Sequence, residues 1–267
     1  MDHLYRDLAP ISEAAWSQVE GEAKSRLVPH LAARKLVDVD GPSGWGYSAT
    51  DLGRVEEVES PAEGVRALRR RVLPVVELRA DFAVSREELD DADRGAGDIE
   101  LRELDEAVRQ IALAENTTVF QGYVAGGILG ISEESSHSPI TIDADMEQYP
   151  RVVAQATDTL RRAGIGGPYG LAIDPAVYTG IVETAEHGGH LLLDHLRQIL
   201  GGPVVWAPGV GCGVVLSQRG GDFVFHLGQD LSIGYRDHDA EVVRLYVEES
   251  FTFRVSEPDA AVALTRG

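Results

Sequence analysis

The last part of the sequence contains an alternation of apolar and polar residues that is unusually long for a β-strand. Residues of one parity are apolar: Val243, Leu245, Val247, Phe251, Phe253 and Val255. Residues of the other parity are mostly polar or charged: Arg244, Glu248, Ser250, Thr252 and Arg254. Because successive side chains of a strand point to opposite faces, this pattern predicts one long strand with one buried face. Such a strand needs a surrounding sheet and excludes an all-helical fold.

The N-terminal part of the chain carries helical patterns instead. Ser12 is a good N-cap, and apolar residues follow it at three- and four-residue spacing. This stripe consists of Trp16, Val19, Ala23 and Leu27. Two further helices are predicted at residues 86–94 and 101–112, the second from a strong apolar face.

Residues 46–80 lie between these helical segments and have little that would build a core of their own. Strands are predicted at residues 54–59 and 73–84, which together suggest a long two-stranded arm. The segment between these strands holds four arginines: Arg66, Arg69, Arg70 and Arg71. We expect these arginines to pair with acids of the same chain or of a neighbouring subunit.

Helices and strands alternate after a segment that is rich in Gly and Ser and begins near residue 122. Helices are predicted at residues 152–163, 175–185 and 191–200, and strands at residues 170–173, 204–206 and 214–217. This alternation is typical of an α/β layer. With the long strand and the separate helices, the predicted fold class is α+β.

The net charge limits the partners of the chain. Its 267 residues include 24 Lys and Arg against 44 Asp and Glu, which gives a formal net charge of −20. A charge this negative argues against a phosphate-binding surface as the main role, and against adhesion to an acidic membrane leaflet. We therefore expect neither nucleic acid nor a membrane as a partner.

Two further absences indicate the compartment. Cys212 is the one cysteine, so no internal disulfide can form. The N-terminal residues carry charges and no apolar core of a signal peptide, and no run of 18 apolar residues occurs. The expected location is the cytoplasm.

The search for catalytic residues finds no convergent set. The segment from Glu186 to His195 contains several possible metal ligands, including His190 and Asp194 at a spacing of four. This spacing matches no well-defined zinc pattern, so a solvated loop is the favoured interpretation. Cys212 stands among glycines, and the sequence assigns it no general base, which favours a packed residue over a nucleophile. No catalytic residue and no metal site are predicted.

The sequence closely resembles the encapsulins, which are bacterial and archaeal shell proteins. The matching segments run in family order and spacing from residue 4 to about residue 260. They are LYRDLAPISEAAW at 4–16, RKLVDVDGPSGWGY at 34–47, LPVVELRADFAVS at 73–85, ELDDADRG at 88–95, GPYGLAI at 167–173, RGGDFVFHLGQDLSIGYRDHD at 219–239 and VRLYVEESFTF at 243–253.

This resemblance implies the capsid fold of tailed phages, the Hong Kong 97-type fold, which consists of a P-domain, an E-loop arm and an A-domain. The P-domain would comprise residues 1–45, 81–131 and 219–267. The E-loop would comprise residues 46–80, and the A-domain residues 132–218.

The resemblance also implies a function. Encapsulin subunits of this length commonly assemble into icosahedral shells of about 60 copies. The shells enclose a cargo enzyme, commonly a dye-decolourising peroxidase or a ferritin-like iron oxidase used in iron storage. Such cargo carries a short, apolar C-terminal targeting peptide that docks on the inner wall of the shell.

The docking groove of the family lies between the N-terminal helix and an adjacent P-domain strand. The matching residues are Leu27, Leu31, Arg34, Leu36, Asp38, Leu231, Ile233 and Tyr246. Arg34 and Asp38 are expected to fix the ends of the peptide, and the apolar residues would form a shallow groove. The alternative is that Leu27 and Leu31 simply pack in the P-domain.

The resemblance assigns the histidine-containing loop to a five-fold pore. Its residues are Glu186, His187, Gly188, Gly189 and His190. Because imidazoles titrate near neutral pH, the charge of such a pore would depend on pH. Some encapsulins also stack a flavin on a tryptophan, but Glu87 occupies the matching position here and cannot stack. No flavin or other cofactor is therefore expected.

Two alternative functions remain open from the sequence. Relatives have carried protease and bacteriocin labels, although the sequence shows no nucleophile or export signal for such an activity. A phage or prophage capsid protein would share the fold, but no scaffolding or maturation segment is evident.

Overall fold

The structure is a computed structural model and describes residues 3–142, 145–184 and 191–267. Its helices are α1 (Glu13–His30), α2 (Arg86–Asp93), α3 (Arg102–Gln121), α4 (Ile131–Glu134), α5 (Tyr149–Arg162), α6 (Pro175–Glu183) and α7 (Leu192–Leu200). Its strands are β1 (Asp38–Asp40), β2 (Ala49–Val58), β3 (Ala67–Pro74), β4 (Val76–Ser85), β5 (Ile140–Ile142), β6 (Tyr169–Ile173), β7 (Val204–Trp206), β8 (Gly213–Ser217), β9 (Phe223–Leu227), β10 (Ser232–His238), β11 (Val242–Val255) and β12 (Ala261–Arg266).

The predicted long strand is confirmed as β11, and it organises a five-stranded sheet. Strand β4 pairs antiparallel with β11 from Val242 to Phe251. Strands β10 and β9 pair with successive parts of β11, and β1 extends the sheet from β9. The length of β11 therefore allows one strand to hold together segments from distant parts of the chain.

Helices α1, α2 and α3 cover the part of this sheet near the start of β11. The N-cap prediction is confirmed, since the backbone N–H of Ala15 donates to Ser12 Oγ at 3.1 Å. The apolar stripe of α1 is buried, and it shares a hydrophobic cluster with α3 and β11. Burying the stripe stabilises the helix more than its intrinsic propensity does.

A second five-stranded sheet has the order β5-β12-β8-β6-β7 and packs with α5 and α7. The predicted division of the chain assigned residues 219–267 to the P-domain as its C-terminal strands. Strand β12 pairs with β8 and β5, and its residues Ala261 to Leu264 are buried. The residue pattern of β12 does not reveal its partners, because the pairing depends on which strand edges are free in a sheet built from residues distant in sequence.

The arm predicted at residues 46–80 is shorter than expected. Strands β2 and β3 form their own two-stranded sheet between Ala49 and Pro74. The predicted strand at residues 73–84 is interrupted at Val75, and β4 begins at Val76 as part of the first sheet. The last residues of the predicted arm therefore belong to the body of the subunit.

Candidate assembly and docking surfaces

The arm formed by β2 and β3 has no hydrophobic core. Within the described residues, it contributes no side chain to either hydrophobic cluster of the body. It instead exposes large apolar side chains: Val55, Val58, Val65, Leu68 and Val72. An isolated two-stranded hairpin is marginally stable in water, and apolar patches of this kind mark contact surfaces. A strand of ten residues reaches roughly 33 Å, which is far enough to cross a neighbouring subunit.

Four of the predicted docking residues come together. Leu27 and Ile233 are buried in the hydrophobic cluster of the first sheet, and Leu31 and Leu231 pack against that cluster while remaining partly exposed. We call Leu31 and Leu231 the docking rim. Leu27 therefore packs in the core and Leu31 lies at its edge, while the docking role of these residues stays a prediction.

Leu36 and Tyr246 do not join this group. Leu36 is buried in the hydrophobic cluster of the second sheet. Tyr246 pairs with Gly234 across the strands, whereas Ile233 pairs with Val247. Because neighbouring residues of a strand face opposite sides, Tyr246 lies on the sheet face opposite Ile233. The family correspondence does not contain this information, because it carries residues over without the parity of the strand.

Asp38 also lies apart from the docking rim. It is exposed on β1, where it pairs with Val224, and its carboxylate accepts a hydrogen bond from the backbone N–H of Gly221. It lines a separate cleft of about 100 Å³ together with Gln218. Its role in fixing a peptide end stays a prediction.

Arg34 lies in a buried cluster of charges. Its Nε donates to Glu115 Oε2 at 2.7 Å, and its Nη2 donates to Glu249 Oε2 at 2.8 Å. Both glutamates are fully buried, and the ring of Phe225 lies 5.2 Å from the guanidinium. Two bonds of the partly exposed Arg34 side chain are therefore made to buried carboxyl groups of its own subunit.

The same side chain also shapes the docking rim. Nη1 of Arg34 donates to Asp230 Oδ1 at 2.8 Å, and that oxygen also accepts the backbone N–H of Leu231 at 2.8 Å. These bonds join the segments that carry Leu31 and Leu231. Arg34 is thus a positioning residue for the rim.

Sequence reasoning missed Glu115 and Glu249. One signal was available, because Glu249 stands at a position of β11 whose parity is otherwise apolar. An acid on the buried face of a strand requires a partner, since burying a lone charge is costly. The identity of the partner depends on tertiary structure, because Arg34 is 215 residues away in sequence.

The protonation of this cluster follows from its burial. Burial raises the pKa of Glu249 well above its ordinary value of 4.5, and the neighbouring Glu115 raises it further while Arg34 opposes the shift. Burial disfavours the charge of Arg34, but the carboxylates of Glu115 and Glu249 raise its pKa overall. In each glutamate, Oε1 has no other donor among the described residues. Burial thus favours the protonated form of Glu249.

This cluster gives the subunit a specific pH dependence. Because the pKa of Glu249 is raised in the folded state, the native protein binds this proton more tightly than the unfolded chain does. Stability is then lost as the pH rises from about 4.5 toward the raised value. We expect Glu249→Gln to flatten this decline, since the amide keeps both contacts without a charge. The measurement is thermal unfolding at a series of pH values. The control Glu241→Gln changes an exposed glutamate and should retain the wild-type loss of stability with rising pH. The same loss in Glu249→Gln would refute the role given to Glu249.

The other predicted sites give no catalytic centre. The pore-loop residues Glu186, His187, Gly188, Gly189 and His190 lie outside the described residues. Burial raises the pKa of the Cys212 thiol, so it holds less of the nucleophilic thiolate than an exposed cysteine. Glu87 is exposed in the first turn of α2.

Two searches of the described residues complete the survey. No group of three or more His, Cys, Asp and Glu is placed to hold a metal ion in that part of the chain. Nor is any helix in those ranges long and apolar enough to cross a membrane.

Comparison with solved structures defines the class of protein. A virus-like particle from Pyrococcus furiosus aligns with a TM-score of 0.62 and 18% identity, over 91% of this chain and 97% of that one. A chain of Mycobacterium phage Bobi aligns with a TM-score of 0.57 and 12% identity, over 89% and 90% of the two chains. The predicted α+β capsid fold is thereby confirmed, and the chain has the fold of a shell-forming subunit.

Comparison of sequences then gives the family. The family model for an encapsulating protein for peroxidase matches residues 1–252. The type 1 encapsulin shell protein of Rhodospirillum rubrum is 46% identical over 270 residues, covering 99% of this chain and 96% of that one. That of Rhodococcus erythropolis is 44% identical over 264 residues, covering 99% and 100%. The chain belongs to the encapsulin family and is a structural shell subunit.

Proposed function

We propose that this subunit uses its arm to assemble into a closed shell of about 60 copies around an enzyme. The observation that carries the proposal is the arm of β2 and β3, which exposes apolar side chains and lacks a core within its own subunit. A symmetric closed shell requires each copy to offer a surface that is complementary to a different surface of its neighbour. An extended arm and the body it crosses meet that requirement.

The cargo is proposed to dock through an apolar C-terminal peptide at Leu31 and Leu231. Leu27 and Ile233 form the floor beneath this rim, and Arg34 fixes the distance between the two segments through Asp230. A few apolar contacts make each site weak, but several peptides on one cargo oligomer gain avidity. A peroxidase or a ferritin-like iron oxidase fits this role as cargo.

Replacing Leu231 with Asp is expected to reduce retention of cargo in the shell about tenfold or more. The substitution places a carboxylate where a peptide leucine would be buried, and burying such a side chain contributes about 1.5–3 kcal/mol. The measurement is the amount of a fluorescent protein, fused to the apolar C-terminal peptide of a peroxidase, that copurifies with intact particles. Leu231→Met is the matched control and should load normally.

Leu31→Asp tests the same rim from the other segment and should reduce loading in the same way. Intact Leu231→Asp particles with wild-type loading would contradict the docking proposal, while leaving the shell proposal in place.

The remaining assignments belong to the same proposal. The subunit has a structural role without catalysis of its own, which agrees with the names of its relatives as shell proteins. The shell is proposed to lie in the cytoplasm and to carry no flavin at Glu87, since an exposed carboxylate offers no aromatic face.

A further inference from the structure

Three arginines converge on a cleft at the base of the arm. Arg54 and Arg71 come from β2 and β3, and Arg254 comes from the end of β11. All three line one cleft of about 250 Å³, which is several times the roughly 30 Å³ that a water molecule occupies in the liquid. The one acid in its lining is Glu134, so the formal charge of the lining is three minus one, or +2.

The register of the arm forces two of these charges together. Arg54 and Arg71 are direct cross-strand partners, and a bulge between Asp51 and Arg54 sets this register. Gly53 lies in the bulge with φ of 63°, a conformation that suits glycine. Like charges directly opposite each other destabilise a strand pair. A bound anion would offset this repulsion between Arg54 and Arg71.

The three guanidiniums have no anionic partner among the residues that the structure describes. Other arginines of the arm do have one, since Arg66 lies 3.5 Å from Glu57 and Arg69 contacts Glu56. Arg54, Arg71 and Arg254 make no ion pair with any described residue of a chain whose net charge is −20. What sets these three apart from the other arginines is that all of them line one cleft.

The lining also favours a compact ligand with several oxygens. Each guanidinium presents N–H donors in a planar fork that binds two oxygens at once. Apolar side chains complete the lining: Leu52, Leu73, Leu129 and Phe253. A monovalent anion would leave part of the charge unmatched, whereas a phosphate-class dianion balances +2.

We propose that this cleft binds a small multivalent oxyanion of the phosphate class. The anion bridges the arm and the body, because its ligands come from β2 and β3 on one side and from β11 on the other. Its binding fixes the angle at which the arm leaves the subunit. This goes beyond the proposed shell function, since an enclosing shell needs no such ligand.

Titration of intact shells with pyrophosphate by calorimetry tests the proposal. We expect saturable binding of one anion per subunit. Arg71→Met should weaken binding roughly tenfold or more, because it removes a charge-assisted donor. Glu134→Gln should tighten it several-fold, because the change removes the only acid of the lining. Since Glu134→Gln keeps all three arginines, it tests the cleft even if Arg71→Met fails to assemble.

Arg70→Met is the matched control. Arg70 pairs with Val55 and therefore lies on the other face of the arm from its neighbour Arg71, and it does not line the cleft. Its loss should leave binding unchanged. Equal losses in Arg70→Met and Arg71→Met would show diffuse attraction and overturn the proposal. The proposal would also be overturned if wild-type shells bound no pyrophosphate and Arg71→Met impaired assembly. That result would indicate that the arginines pair with carboxylates of a second copy.

Discussion

Replacing Arg34 with Met is expected to lower the free energy of unfolding by about 3–5 kcal/mol, because it leaves buried carboxyl groups without their cation. Glu115 and Glu249 are both fully buried, and Arg34 is the cation that contacts them among the described residues. Methionine fills a similar space, so the loss reports mainly on the charge. The measurement is urea unfolding, compared at one subunit concentration because assembly itself adds stability.

Two further variants make this test specific. Arg26→Met removes an exposed arginine whose Nε donates to Glu22 at 2.7 Å, and we expect little change because solvent screens such pairs. Combining Arg34→Met with Glu115→Gln and Glu249→Gln should recover much of the loss, since no buried charge then remains. Wild-type stability of Arg34→Met alone would show that the cluster does not depend on its cation.

Removing the arm is expected to abolish assembly while leaving the subunit folded. Ala49 and Pro74 are cross-strand partners, so two glycines can join them after deletion of residues 50–73. The deletion leaves both hydrophobic clusters intact, because the arm contributes no side chain to either of them within the described residues. Light scattering and negative-stain microscopy should then show subunits or small oligomers in place of closed particles.

The control is to show that the shortened subunit is folded. Circular dichroism should keep a cooperative thermal transition, since β4 and β11 still form the first sheet. Closed particles of wild-type size built from the shortened chain would contradict the assembly role of the arm. An unfolded chain would also count against it, because it would mean that the arm supports its own subunit.

The sequence predicted elements whose pattern is local. Strand β11 was read from its period of two, and α1 from an N-cap followed by a stripe at helical spacing. These signals lie within a few residues of each other, and side-chain direction in a strand or helix is fixed by the backbone. The absence of a core in residues 46–80 likewise indicated an arm that needs a neighbour.

The candidate site was predicted less completely than the fold. The resemblance predicted a docking region, and Leu31 and Leu231 pack against the same hydrophobic cluster. It did not show that Tyr246 lies on the sheet face opposite Ile233, or that Arg34 bonds to Glu115 and Glu249. Matching residues between related sequences gives the position of each residue along the chain, but it does not give the contacts of its side chain.

The sequence by itself determined the strand and helix patterns, the family and the need for a partner surface. Only the tertiary structure showed that Arg34 joins Glu115 and Glu249, that β12 completes the second sheet, and that Arg54 meets Arg71 and Arg254. The physical reason is the distance along the chain between the residues that determine each feature. Local periodicity reflects the geometry of one backbone segment, whereas burial and charge pairing depend on contacts between residues far apart in the chain, such as the 215 that separate Arg34 from Glu249.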